Sequence, residues 1–283
     1  MPGTLYLVPT PIGNLGDISA RMADTLAQAD FIAAEDTRVT LKLLNHLGLK
    51  KPLVSYYRHN TGESGAAVLS RLLSGESCAL VTDAGTPAIS DPGEELVRQC
   101  AQAGVPVVSI PGPCALITAL AASGLPTGRF TFEGFLAMNK KNRRTHLEEL
   151  KGETRTMLFY EAPHKLQATL ADLLEAFGPD RRIALCRELT KLHEEIRRTT
   201  LGEAAAWYTE NPPKGEFVLV VEGGTPVQEE APTLENGLAR VSALRADGLS
   251  LRDAARQAAA ELNLPRKALY DLALGKSLPE KDD

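Results

Sequence analysis

The stretch Cys78–Gly93, CALVTDAGTPAISDPG, decides how this chain folds. Its first four residues are an uninterrupted apolar run, the pattern of a short strand buried on both faces. Two aspartates, two glycines and two prolines follow directly. In a sheet of parallel strands, ligands bind in the crevice beyond the carboxyl ends, so the stretch is either a turn into a helix or a wall of a site. Capping chemistry divides it. Asp91-Pro-Gly-Glu94 reads as a helix start, with Asp91 as N-cap, Pro92 at the first helical position and Glu94 completing a capping box. Asp83 has no such explanation. It follows the strand directly, and its carboxylate is expected in the crevice, with Gly85 allowing close backbone approach and Thr86-Pro87 stiffening the loop.

Working outward, short apolar runs alternate with amphipathic stretches. Strands are expected at 4–8, 30–33, 53–56, 78–81 and 106–110, with helices at 19–28, 40–47 and 65–73 between them. Such alternation implies a mostly parallel α/β sheet. A second α/β block follows, with strands at 156–160, 182–186 and 216–221 and helices at 164–177 and 203–208. We expect domains at 1–118 and 119–228, and a third at 235–283 after the linker-like QEEAPT. In that tail Ser250 and Asp253 resemble a helix N-cap, and Leu251, Ala254, Ala255 and Ala258 share one helical face. Asn263-Leu-Pro265 turns the chain into a second helix opened by Arg266 and Lys267, which is a helix-turn-helix pattern.

Composition narrows the function classes. The 283 residues are 43% hydrophobic with a formal net charge of -5, so any nucleic-acid contact must come from a local basic patch. Met138-Asn-Lys-Lys-Asn-Arg-Arg144, between the two blocks, is one such segment, with Lys140–Arg144 expected to be a loop that meets phosphates. The four cysteines form no CxxC pair, so neither a metal site nor a disulfide is expected. The N-terminus has no signal-peptide pattern. The uncharged run 101–128 is broken by Pro106, Pro111, Pro113 and Pro126, which argues against a membrane span and for a cytoplasmic protein.

The other post-strand loops complete a candidate cleft between the two α/β blocks. The first, Val8–Ser19, is rich in glycine and proline but is neither GxGxxG nor a P-loop. Pro9 and Pro11 remove amide donors, so it suits an uncharged part of a ligand better than a pyrophosphate. Ala34-Glu-Asp-Thr-Arg38 offers Glu35, Asp36 and Arg38 for acid–base or orienting roles, against a helix-capping reading for Asp36 or Thr37. His59 lies in the next loop. Ile110–Ala115, Phe159–His164, Arg187–Lys191 and Lys214–Phe217 bring further polar residues to strand ends.

Seven of these segments in order, VPTPIGNLGDIS, AEDTR, TDAGTPAISDPG, PGPCA, FYEAPH, RELTK and KGEFVLVVEG, resemble the tetrapyrrole methylase superfamily, and within it the ribosomal RNA small subunit methyltransferase I branch. The resemblance runs from Leu5 to about Gly223 and extends to the tail. It implies two α/β domains around a cleft, a small helical domain, S-adenosylmethionine as cofactor, a homodimer, and a cytidine ribose 2′-oxygen in 16S ribosomal RNA of the small subunit as acceptor. Carried over, the cofactor contacts are Pro11, Ile12, Gly13, Val81, Thr82, Asp83, Thr86, Cys114, Ala115, Glu161 and Leu189. Cys114 stands where many superfamily members carry serine or threonine, so a hydroxyl contact there would be lost. The superfamily's usual glycine-rich first loop and GDP motif are altered here to PTPIGN and TDAG.

A ribose hydroxyl is a poor nucleophile and gains from a base. Glu35, Asp36, Glu188 and His59 are the candidates, with Arg38, Lys191 and Arg187 orienting ribose or phosphate. Two rivals stand beside this expectation. A tetrapyrrole carbon methylase leaves the helical tail unexplained. A non-catalytic ribosome-binding factor need not keep an intact loop after every strand.

Overall fold

The computed structural model describes residues 1–57, 61–225 and 232–275. The described chain divides into two compact units, Met1–Gly224 and Thr225–Asp283. The first opens with five parallel strands, β1 (Leu5–Leu7), β2 (Phe31–Ala34), β3 (Leu53–Ser55), β4 (Cys78–Val81) and β5 (Val107–Ser109), in the order β3-β2-β4-β1-β5. Side chains alternate across this sheet. Phe31, Ala33, Cys78 and Leu80 pack with α3 (Thr61–Leu73) and α4 (Glu94–Gln102), whereas Ile32, Ala34, Ala79 and Val81 pack with α1 (Ala20–Gln28) and α2 (Thr37–His46).

That division follows from chain direction. The chain steps from β1 to β2 to β3 one way across the sheet, then returns through β4 to β5 the other way. Right-handed crossovers place the two helix pairs on opposite faces. β1 and β4 are neighbours whose outgoing chains diverge, which makes their carboxyl ends the topological switch point.

The second sheet holds β6 (Phe130–Phe135), β7 (Thr156–Glu161), β8 (Arg182–Arg187), β9 (Glu195–Thr200) and β10 (Phe217–Val221), in the order β6-β7-β10-β8-β9. It is mixed: β6 and β7 run parallel, and the remaining pairs are antiparallel. Its central strand β10, FVLVV, is buried throughout. One face packs on α7 (Pro163–Phe177), α8 (Leu201–Glu210) and Leu147 of α6 (Lys140–Glu149). The other face packs on α5 (Ala115–Ser123) through Leu116, Ala119 and Leu120. The boundary expected at 118/119 therefore falls inside α5. Strands β6 and β9 are additions to the sequence reading, and Lys140–Arg144 is the first part of a helix capped by Asn139 rather than a loop.

The second unit is helical, α9 (Leu234–Ala246), α10 (Leu251–Leu262) and α11 (Arg266–Ala273), around Val241, Leu244, Ala254, Ala255, Ala258 and Leu269. Ser250 caps α10 by accepting the Asp253 N–H, and Asn263 closes that helix in the left-handed conformation. Among the described residues, no helix is long and apolar enough to cross a membrane.

Candidate active site

The loops after β1 and β4 meet at the switch point. Thr10 and Gly85 exchange backbone hydrogen bonds of 2.9 Å in both directions, and the Thr10 hydroxyl donates to the Thr82 carbonyl at 3.0 Å. The Thr86 hydroxyl donates to the Pro113 carbonyl at 2.9 Å, which ties in the loop after β5. From the second sheet, the β8–β9 loop closes against them. Lys191 packs its stem on Gly13, leaving no room for a Cβ there. The result is a cavity of about 480 Å³ within the first unit, a size that suits a small organic ligand.

Among the described residues, its wall carries Glu35, Asp83, Asp91, Glu161, Glu188 and Glu216 against the single cation Lys191. The rest of the lining is mainly apolar or small, including Ile12, Ile89, Cys114, Phe135, Tyr160 and Leu189. Ala88, Ser90, Glu188 and Thr190 have φ of 68°, 67°, 51° and 66°, and all four lie in the two loops that face each other across it. Non-glycine residues held there cost of order 1–3 kcal/mol each, and such strain clusters at functional sites.

Individual side chains are held firmly. Glu35 accepts the Thr82 hydroxyl at 2.6 Å. Asp83 accepts the Asp36 N–H at 3.0 Å, and partial burial followed by the neighbouring Glu35 carboxylate raises its carboxyl above the usual range. Glu188 behaves oppositely. Lys191 at 2.8 Å and the Glu216 N–H at 2.9 Å hold it below that range. Burial disfavours the charge on Lys191, but its bonds to Glu188 and Glu216, both 2.8 Å, prevail and raise its pKa. Tyr160 is raised by burial, and its hydroxyl accepts the Leu116 N–H at 3.3 Å. Cys186, buried in the floor, is pushed up to about 12 and is no nucleophile.

Of the expected cofactor contacts, Ile12, Thr82, Asp83, Thr86, Cys114, Ala115, Glu161 and Leu189 line the cavity. Val81 is buried beneath it in β4, and Pro11 and Gly13 belong to the loop that frames it without lining it. Of the catalytic candidates, Glu35, Glu188 and Lys191 line it. Asp36 and Arg38 do not. Asp36 is the N-cap of α2, and its carboxylate, held at about 2 by the Arg38 side chain and N–H, is gripped by the Arg38 guanidinium at 2.6 Å. His59 lies outside the described residues.

One expectation is overturned. α4 begins at Glu94 with Gly93, not Asp91, at the N-cap position, and Asp91 lines the cavity. The left-handed turns at Ala88 and Ser90 carry Asp91 inward, ahead of the helix. Asp91, Phe135, Tyr160 and Glu216 are site residues the candidate list missed. Phe135 had a signal in Gly134, whose φ of +65° accompanies a register shift in β6.

Comparison with known proteins identifies the family. The family model described as Tetrapyrrole (Corrin/Porphyrin) Methylases matches residues 4–205, and the RsmI C-terminal HTH domain matches residues 231–277. Ribosomal RNA small subunit methyltransferase I of Synechocystis sp. is 50% identical over 96% of this chain and 98% of that protein. The protein of that name from Escherichia coli O157:H7 is 46% identical over 96% of this chain and 95% of its own length. The chain belongs to the ribosomal RNA small subunit methyltransferase I family of tetrapyrrole methylases. It is a methyltransferase. Solved structures support the fold of this family member. A cobalamin biosynthetic enzyme, cobalt precorrin-4 methyltransferase, aligns with a TM-score of 0.56 at 19% identity, over 77% of this chain and 94% of that one. Diphthine synthase aligns with a TM-score of 0.59 at 16% identity, over 79% and 91%.

Proposed function

We propose that this methyltransferase uses S-adenosylmethionine to methylate the ribose 2′-oxygen of a cytidine in 16S ribosomal RNA, acting as a cytoplasmic homodimer on the small ribosomal subunit. The names of the relatives support the RNA substrate. The observation that carries the cofactor is the acidic wall of the switch-point cavity, six carboxylates against one lysine. Such a wall repels phosphates and attracts a sulfonium and an ammonium group. The loop after β1 fits the same reading, because Pro9 and Pro11 leave it without a nest of amide donors.

Bound there, S-adenosylmethionine supplies a methyl group on a positively charged sulfur. Asp83 and Glu161 accept hydrogen bonds from its hydroxyls or ammonium, while Ile12, Cys114, Ala115 and Leu189 give apolar contact. The single proton of the ribose hydroxyl passes to Glu35 or to Glu188. Glu188 is held ionised and Lys191 is positioned beside it to orient the acceptor. Asp36 and Arg38 support the wall from α2 rather than reach into it. Phosphates of the RNA meet Lys140, Lys141 and Arg144 on α6, together with Arg266 and Lys267 at the start of α11.

The test offers methyl-labelled S-adenosylmethionine with three acceptors: free small-subunit RNA, assembled small subunits and a tetrapyrrole. Label on a cytidine ribose in either RNA sample supports the proposal, and label on a base, on the tetrapyrrole or on none contradicts it. Sedimentation of the full chain tests the dimer.

A further inference from the structure

We infer that Arg143 and Thr169 are positioning residues that fix the cofactor-facing carboxylate of Glu161, an inference that rests on the cofactor reading of the cavity. Glu161 ends β7 and is 4% exposed. A buried carboxylate is costly unless hydrogen-bonded and compensated. One oxygen accepts the Ala162 N–H at 2.8 Å, at the N-terminus of α7, where the helix dipole favours negative charge. The other oxygen accepts the hydroxyl of Thr169, a residue with 0% exposure.

The direction of that second bond is not free. The Thr169 hydroxyl also receives Nη2 of Arg143 at 2.8 Å. A guanidinium only donates, so the hydroxyl must spend its one proton on Glu161. Arg143 is itself locked by an ion pair with Asp172 on α7. Its side chain is 13% exposed, although it sits in the segment KKNRR whose other cations point outward, with Lys140, Lys141 and Arg144 lining a separate surface depression. Arg143 is therefore not a phosphate ligand like its neighbours. It orients the Thr169 hydroxyl, whose one proton is thereby directed to Glu161, and so fixes where that carboxylate lies in the cavity wall. At metal sites, loss of a partner that orients a contacting group costs about 10–100-fold in affinity.

Thr169→Val keeps the shape and removes the relay. Titration calorimetry of the full chain with S-adenosylmethionine should show affinity weakened roughly tenfold or more, with Thr169→Ser restoring it. In a Glu161→Gln background Thr169→Val should have little further effect, because the two act as one unit. A general packing defect would instead weaken binding additively in the Glu161→Gln background. Equal affinity of wild type and Thr169→Val, or full additivity with Glu161→Gln, overturns the inference while leaving the cofactor reading intact. Absence of binding by the wild-type chain sinks the cofactor reading and takes this inference with it.

Discussion

Asp83 accepts the Asp36 N–H while facing the cavity beside Glu35, and its two duties are separable. Its folded-state pKa is raised by burial and by Glu35. Protonation therefore favours the folded chain, and the ionised carboxylate costs stability near neutral pH. That cost fades as pH falls through the folded value. Asp83→Asn keeps an acceptor for the Asp36 N–H and removes the charge. Its melting temperature should equal or exceed that of the wild type at neutral pH, and the difference should vanish in acid. Its affinity for S-adenosylmethionine should fall roughly tenfold or more. Melting curves at two pH values and calorimetry check both, and a destabilised variant with unchanged affinity would reverse the assignment. Glu188 carries the opposite sign: its pKa is depressed by Lys191, so its stabilisation is present above the unfolded value and lost in acid.

At the scale of elements, adjacent carboxylates divide between scaffold and site. Asp36 caps α2, and Glu35, one residue earlier, turns to Thr82 and the cavity. Asp36→Ala should lower the melting temperature by a few degrees with the methyl-transfer rate largely retained, and Asp36→Asn, also a good N-cap, should recover the stability. Glu35→Gln should do the reverse, cutting the rate by roughly tenfold or more with little effect on melting. Both are read from single-turnover rates beside melting curves. Capping was legible in sequence for Ser250 and Asp36 because each side chain meets an N–H within its own segment. It misled at Asp91, where the Asp-Pro-Gly-Glu pattern is genuine but two left-handed residues just before it pull the aspartate out of register with the helix. β9, EIRRTT, escaped notice because it is an edge strand whose side chains are only partly buried, so no apolar alternation marks it.

At the scale of the whole molecule, the strands of the first sheet were readable from its apolar runs, but their order, and with it the switch point between β1 and β4, was not. Nor was it readable which loops of the second sheet would face it, since mixed pairing depends on contacts far apart in sequence such as β7 with β10. The first unit has its own cores on both sheets, and the helical unit has a separate one. A chain ending at Gly224 should fold and bind S-adenosylmethionine as the full chain does, with weaker affinity for RNA in filter-binding assays. Loss of cofactor binding would show that the division into units is not a division of labour. On the proposed function, the switch-point cavity directs methyl to a ribose oxygen. The most direct test is nucleoside analysis of 16S ribosomal RNA after reaction with labelled S-adenosylmethionine. The label is predicted in 2′-O-methylcytidine. Label on a base, or none in RNA, would contradict the account.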